Sequence, residues 1–289
     1  MKILVIGGTG LVGTHVVDTA IQRGHEVSWT YFSSDVQDIS HAHQLDKTEV
    51  DAVDNIVNKV KPDAVVDTAA FHEVDTCEIE RARAWSVNAQ GTRNVAAAAG
   101  AIDAHYIYIS TDYVFAGDSE EAPYTEEKKV NPVNYYAQTK YSGEVASMLA
   151  STWTVLRTSV VYGLARPNFI TWVVEKLREG KPVTIVDDQI STPTYAPDLA
   201  EACVKIVESS TAGLYHAAGP ESLSRYEFTL RLANVWGFDM ALIDPISTEE
   251  LGQYALRPSD GSLDSSRLYK LMDREFTPPD AAFSKMAFE

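Results

Sequence analysis

Short apolar runs alternate with longer stretches of helical period from the first residues of the chain to residue 159. Residues 2–6, Lys2-Ile3-Leu4-Val5-Ile6, carry an apolar run long enough for a buried strand, glycines follow, and residues 11–23 then read as a helix. Further strands are predicted at 27–31, 64–69, 105–110 and 154–159, the second of these introduced by the Lys61-Pro62-Asp63 turn. Helices are predicted over 53–60, about 82–99 and about 136–149. Strands that alternate with helices imply right-handed crossovers and a parallel sheet covered on both faces. The predicted fold class is therefore α/β, a doubly wound parallel sheet. Beyond residue 163 the rhythm loosens into a helix at 170–178, a strand at 183–186, a helix at 198–207 and a strand at 214–217, then short segments rich in Pro, Ser and Asp. This divides the chain into a first domain, 1–162, and a smaller C-terminal lobe, 163–289, with elements near 190–217 returning to the first domain.

Composition narrows the function classes. The 289 residues are 45% hydrophobic without a membrane-length apolar run, so the chain can bury a large core in water and a membrane partner is not expected. The net charge of −17 comes from 41 acidic against 24 basic residues spread along the sequence. Phosphate backbones need a basic face, so nucleic acid is excluded as a partner. The same dispersed acidity suits work at high salt, where self-repulsion is screened. Cys77 and Cys203 are far apart and without metal-ligand spacing, so both read as small buried hydrophobes and no metal site is expected. The first apolar run ends in glycines, without a secretory cleavage pattern, and a cytoplasmic protein is expected.

The stretch GGTGLVG places Gly7, Gly10 and Gly13 between the first strand and the first helix. There, glycines permit a tight turn and close backbone approach to a pyrophosphate at the positive helix N-terminus. The sheet is then of Rossmann type and binds a dinucleotide. NAD-binding chains often end the second strand on an acid that holds the ribose hydroxyls. Here that strand reads EVSWTYFSS, with Thr30, Tyr31, Ser33 and Ser34 but no acid. Without repulsion against a 2′-phosphate, NADPH is the expected cofactor and NADH the alternative. Asp46 is a later candidate on the adenine side.

Two Tyr-x-x-x-Lys pairs occur, where 14 tyrosines make about one a chance expectation, so spacing alone proves nothing. Tyr124 and Lys128 lie in EEAPYTEEKKVNP, which reads as a surface loop. Tyr136 and Lys140 open a predicted helix, which puts them on one face. A tyrosine of ordinary pKa is a poor proton donor and acceptor at neutral pH, and a nearby ammonium favours its phenolate, so the lysine is expected to tune it. YIYISTDYVFAG supplies Ser110, Thr111 and Asp112 at a strand end, where open α/β sheets bind ligands. Together these residues suit hydride transfer with a proton delivered to a carbonyl oxygen.

The ordered set GGTGLVG, DTAAFHEVDTCE, VNAQGTRNVA, STDYVFAG, PVNYYAQTKYSGE, RTSVVYG, DDQISTPTY, GLYHAAG and RPSDGSLD, spanning residues 7 to 264, resembles the extended short-chain dehydrogenase/reductase family, and within it the dTDP-4-dehydrorhamnose reductase family. The resemblance implies reduction of a nucleotide-linked 4-keto-6-deoxy sugar in a smaller substrate-binding C-terminal lobe. It assigns proton donation to Tyr136, tuning and a ribose contact to Lys140, and a bond to the substrate oxygen to Thr111. Gly7, Gly10, Leu11, Val12, Gly13, Thr30, Asp46, Ala69, Ala70, Phe71 and Asn88 match cofactor-side positions. Asp112, Asn168, Gln189 and Arg257 match substrate-side ones. One departure stands out: Val160 in RTSVVYG replaces a tryptophan of the family and removes an aromatic wall against the sugar. His15 stands where relatives with a metal-linked dimer carry an acid, so that metal and that dimer are not implied, while a homodimer of another kind is left open. Two alternatives remain: an epimerase or dehydratase of the same superfamily, or a regulatory subunit of methionine adenosyltransferase type.

Overall fold

The computed structural model describes residues 1–33 and 41–286; Ser34 of the second-strand reading lies outside them. Six strands, β1 (Lys2–Ile6), β2 (Glu26–Tyr31), β3 (Ala42–Gln44), β4 (Ala64–Asp67), β5 (His105–Thr111) and β6 (Trp153–Thr158), join a seventh, Gly213–His216, in one sheet. From one edge to the other the order is Gly213–His216, β6, β5, β4, β1, β2, β3, and every pairing is parallel. The doubly wound parallel sheet read from the sequence is the architecture found.

Alternation within each strand sends successive side chains to opposite faces. Ile3, Val5, Val66, Ile107 and Leu156 pack on one side, where helix α1 (Leu11–Gln22) meets Leu199, Cys203 and Ile206 of the helix Ala196–Ser209. Leu4, Ile6, Val65, Tyr106 and Val155 pack on the other, beneath α2 (Val50–Val60) and the helical stretch 81–101. Tyr162, Ile170, Val173, Phe228, Leu232 and Phe283 pack in a separate cluster built mainly from residues after 163.

Four local features differ from the sequence reading. The strand predicted at 64–69 stops at Asp67, whose buried carboxylate turns the chain by accepting the Ala69 N–H at 3.1 Å. The helix predicted over 82–99 is Arg81–Trp85, a π-helical turn Ser86–Gly91 and Thr92–Ala101 in succession. A twelve-residue helix, Arg225–Trp236, occupies a stretch read as irregular; its signals were the Ser224/Glu227 capping box and Gly237 in the left-handed region. Tyr124, read as part of a surface loop, is 1% exposed and stacks on Phe115 at 4.2 Å between ring centroids.

Because the seven strands of this sheet run the same way, their C-terminal ends share one edge. The glycine turn, the Thr30 region, the Thr68–Phe71 loop, Thr111–Tyr113 and Val160 therefore converge there.

Candidate active site

A cleft of about 890 Å³ opens along that edge, and a cavity of about 400 Å³ continues it past Ala69 and Ala70. Gly7, Gly10, Leu11 and Val12 line the first part; Thr30, Asp46 and Phe71 line the second. Gly7 has φ +81°, a region that favours glycine, and its N–H donates to Thr30 Oγ1 at 3.1 Å. Gly10 caps α1 without any side-chain hydrogen bond, so the helix presents bare N–H groups to the cleft. A polar, tightly turned cradle of this kind fits a pyrophosphate. Gly13 lies outside the cleft and serves by its absence of bulk: a Cβ there would sit 2.1 Å from the Gly7 carbonyl oxygen.

Asn88 is also removed from the cleft surface, at 0% exposure. From the π-helical turn its Oδ1 accepts the Phe71 N–H at 2.8 Å, while Nδ2 donates to the Phe71 carbonyl at 2.9 Å and to Thr139 Oγ1 at 3.1 Å. It thus ties the Ala69–Phe71 loop to helix Tyr135–Ser147. Asp46 accepts both the N–H and the hydroxyl of Thr48 through one oxygen, at 2.9 and 2.7 Å. Beside it, Lys47 was passed over in the sequence. Its buried Nζ lies 2.9 Å from Asp67 Oδ2 and 2.7 Å from the Ala69 carbonyl, and Tyr106 donates to the same carboxylate at 2.9 Å.

The chemical centre forms where β5 ends against helix Tyr135–Ser147. Asn134 caps that helix by accepting the Ala137 N–H at 2.8 Å, which starts it one residue before Tyr136. One turn after Lys140, Glu144 receives Arg157 in a bidentate pair at 2.9 and 2.8 Å and the Ser110 hydroxyl at 2.6 Å. Ser110 and Thr111 both line the cleft, but the Ser110 hydroxyl is committed to Glu144. The Thr111 side chain lies beside Tyr136, and the Tyr113 ring meets Tyr136 edge-on at 6.2 Å.

The electrostatics overturn one expectation. Burial first, then the Asp112 carboxylate, push the Tyr136 hydroxyl above the ordinary tyrosine value, so it is held protonated and not tuned towards phenolate. Lys140 is 3% exposed, donates to the Ile109 carbonyl at 2.7 Å and sits 4.1 Å over the Tyr108 ring. Burial and the nearby Lys47 ammonium lower it to about 7. Burial likewise pushes Asp112 up to about 6, against hydrogen bonds from Ser159 and Thr111.

On the substrate side the expected residues scatter. Asn168 lines the cleft, but its amide is engaged in capping the helix Phe169–Arg178: Oδ1 accepts the Ile170 N–H and Nδ2 donates to Gly163 and Arg166 carbonyls. Gln189 lines a small cavity behind Asp112, and its Nε2 donates to Thr248 Oγ1 and Gln253 Oε1. Arg257 does not line the cleft; its guanidinium pairs with Asp75 at 3.0 Å, and the Ala255 N–H reaches the same carboxylate at 2.9 Å. Besides Lys140, Arg166 and Arg225 line the cleft, neither of them singled out from sequence. Arg225 heads the unforeseen helix, and Arg166 donates to the Thr9 carbonyl at 2.6 Å. Val160 lines the cleft with φ +42°, a strained conformation for a β-branched residue.

Residues 1–287 match the RmlD substrate binding domain family. The chain belongs to that family. Among RmlD relatives, the dTDP-4-dehydrorhamnose reductase of Mycolicibacterium smegmatis is 34% identical, over 92% of this chain and 79% of its own length. The spore coat polysaccharide biosynthesis protein SpsK of Bacillus subtilis is 33% identical, over 89% of this chain and 87% of its own. The crystal structure of dTDP-4-dehydrorhamnose reductase from Bacillus anthracis, in complex with NADP, superposes with a TM-score of 0.89 at 29% identity, covering 99% of this chain and 98% of that one. The RmlD assignment accounts for the extended short-chain dehydrogenase/reductase motifs along the chain.

Proposed function

We propose that this protein reduces a nucleotide-linked 4-keto-6-deoxy sugar, dTDP-4-dehydrorhamnose being the leading substrate, with NADPH as cofactor. The observation that carries the reading is the convergence of Thr111, Tyr136 and Lys140 on one cleft with the Gly7–Val12 cradle, in a chain whose relatives bear that reductase name. Bound NADPH supplies the hydride for carbon 4. The N–H groups at Gly10–Val12 hold its pyrophosphate, Thr30 and the acid-free end of β2 accept a 2′-phosphate, and Lys140 holds the nicotinamide ribose. Tyr136, kept protonated by its burial, delivers its proton to the keto oxygen, worth a factor of about 10² to 10⁴ for a positioned acid. The protein is read as cytoplasmic, with the sugar held between a cofactor domain ending near residue 162 and the C-terminal lobe.

NADPH oxidation followed against dTDP-, UDP- and GDP-linked 4-keto sugars tests this. Turnover is expected with at least one of them, and Tyr136→Phe should lose about 10²-fold or more in kcat while still binding NADPH. No turnover with any such sugar, in protein shown by fluorescence to bind NADPH, refutes the reading.

A further inference from the structure

The Asp112 side chain is buried at 3% exposure, and each of its oxygens receives a hydroxyl. Ser159 Oγ donates to Oδ2 at 2.6 Å, and Thr111 Oγ1 donates to Oδ1 at 2.9 Å. A threonine hydroxyl has one proton, and an ionised carboxylate can only accept. While Asp112 is charged, Thr111 is therefore committed to it, and the Thr111 oxygen also accepts the Tyr113 N–H at 3.2 Å. In that state Thr111 has nothing to donate to a substrate oxygen. When Oδ1 carries a proton the polarity reverses: Asp112 donates to Thr111, whose own proton is released towards Tyr136 and the cleft.

We propose that Asp112 is a positioning residue that sets the donor direction of Thr111, so that only the neutral carboxyl lets Thr111 and Tyr136 donate together to the keto oxygen. This rests on the reductase reading. The groups facing Asp112 are Tyr113 beside it, Tyr136 from the helix Tyr135–Ser147, Arg225 from the helix Arg225–Trp236, and Gly261 from the C-terminal loop, where an added Cβ would lie 3.0 Å from Oδ2. Arg225 favours the charged form; burial outweighs it and raises the carboxyl to about 6. A sugar diphosphate in the cleft, anionic and displacing water, raises it further. Behind Asp112 a cavity of about 10 Å³, lined also by Ser191 and Arg225, is the size of one water, and the buried Ser191 Oγ has no hydrogen-bond partner among the described residues; a water there would carry the proton.

Two measurements test the switch. In the first, kcat is followed against pH. Wild type should fall about tenfold per pH unit above a midpoint at or above about 6, as ionisation captures the Thr111 proton. Asp112→Asn should lose that limb, since its amide donates to Thr111 at every pH. Ser159→Ala removes a hydrogen bond that favours the charged carboxylate, so the limb should move up by about one unit. In the second, infrared difference spectra of substrate-free protein should show a carboxylic acid band that titrates in wild type and is missing from Asp112→Asn. Turnover with a limb that survives Asp112→Asn overturns the switch and leaves the reductase reading standing. Absence of a titrating band between about pH 4 and pH 9 overturns it as well. A titrating band without turnover of any 4-keto sugar overturns both.

Discussion

Removing the Lys47 ammonium should unsettle the protein far more than a lysine truncation ordinarily does. Lys47 and Asp67 are 5% and 1% exposed, and the ammonium is 2.9 and 3.1 Å from the two carboxylate oxygens. In Lys47→Met, Asp67 keeps hydrogen bonds from the Tyr106 hydroxyl and the Ala69 N–H but loses the cation bonded to both of its oxygens. Orphaning one member of a buried pair costs about 3–5 kcal/mol. For a chain of this size that lowers Tm by roughly 10 °C. Neutralising the survivor in Lys47→Met/Asp67→Asn should restore most of the loss, because the penalty comes from an uncompensated charge and not from a missing contact. Urea unfolding followed by tryptophan fluorescence, run as a double-mutant cycle, gives both numbers. A loss below about 1 kcal/mol in Lys47→Met, or a double variant as unstable as the sum of the singles, would refute the reasoning. The Ala69 carbonyl also loses its 2.7 Å donor, so NADPH binding should weaken through the loosened Ala69–Phe71 loop.

Gly13→Ala must move either α1 or the glycine turn, because its Cβ would meet a backbone oxygen; a stability loss of about 1–3 kcal/mol and weaker NADPH binding by fluorescence titration are expected. His216 and His105 are buried neutral, with burial lowering them to about 3 and about 4. Between pH 6.5 and those values the unfolded chain binds protons that the folded one does not, so their contribution is full above about 6.5 and is lost as pH falls. His216→Gln should flatten the acid limb of a stability profile; an unchanged limb counts against the assignment. Asp112 acts in the opposite sense, since its raised carboxyl lets stability drain as pH rises from 3.8 to about 6. Val160→Gly relieves a strained φ while freeing the unfolded chain, so stability should shift by less than about 1 kcal/mol. Because Val160 lines the cleft, the same variant should change KM for the sugar more than KM for NADPH, and equal changes in both would argue against a sugar contact.

The parallel sheet, the glycine cradle and the Tyr136/Lys140 face were legible in the linear sequence because each is set by a local period: alternation in strands, 3.6 residues in a helix, a glycine at every third position from Gly7 to Gly13. The π-helical turn at Ser86–Gly91 was not, since nothing local distinguishes it from the helix on either side. Side chains whose roles depend on distant partners were misread or missed. Arg257 matched a substrate position but is held by Asp75, 182 residues away by number; Lys47 meets Asp67 and Glu144 meets Arg157 only after crossovers bring separate units together. The direction of the Tyr136 shift belongs to the same class. Spacing puts a lysine one turn from the tyrosine, but a pKa follows from desolvation and from the charges that packing delivers, and here burial and Asp112 prevail. Local sequence determined which residues could share a strand, turn or helix face; tertiary structure decided which of them lost water and which found a partner.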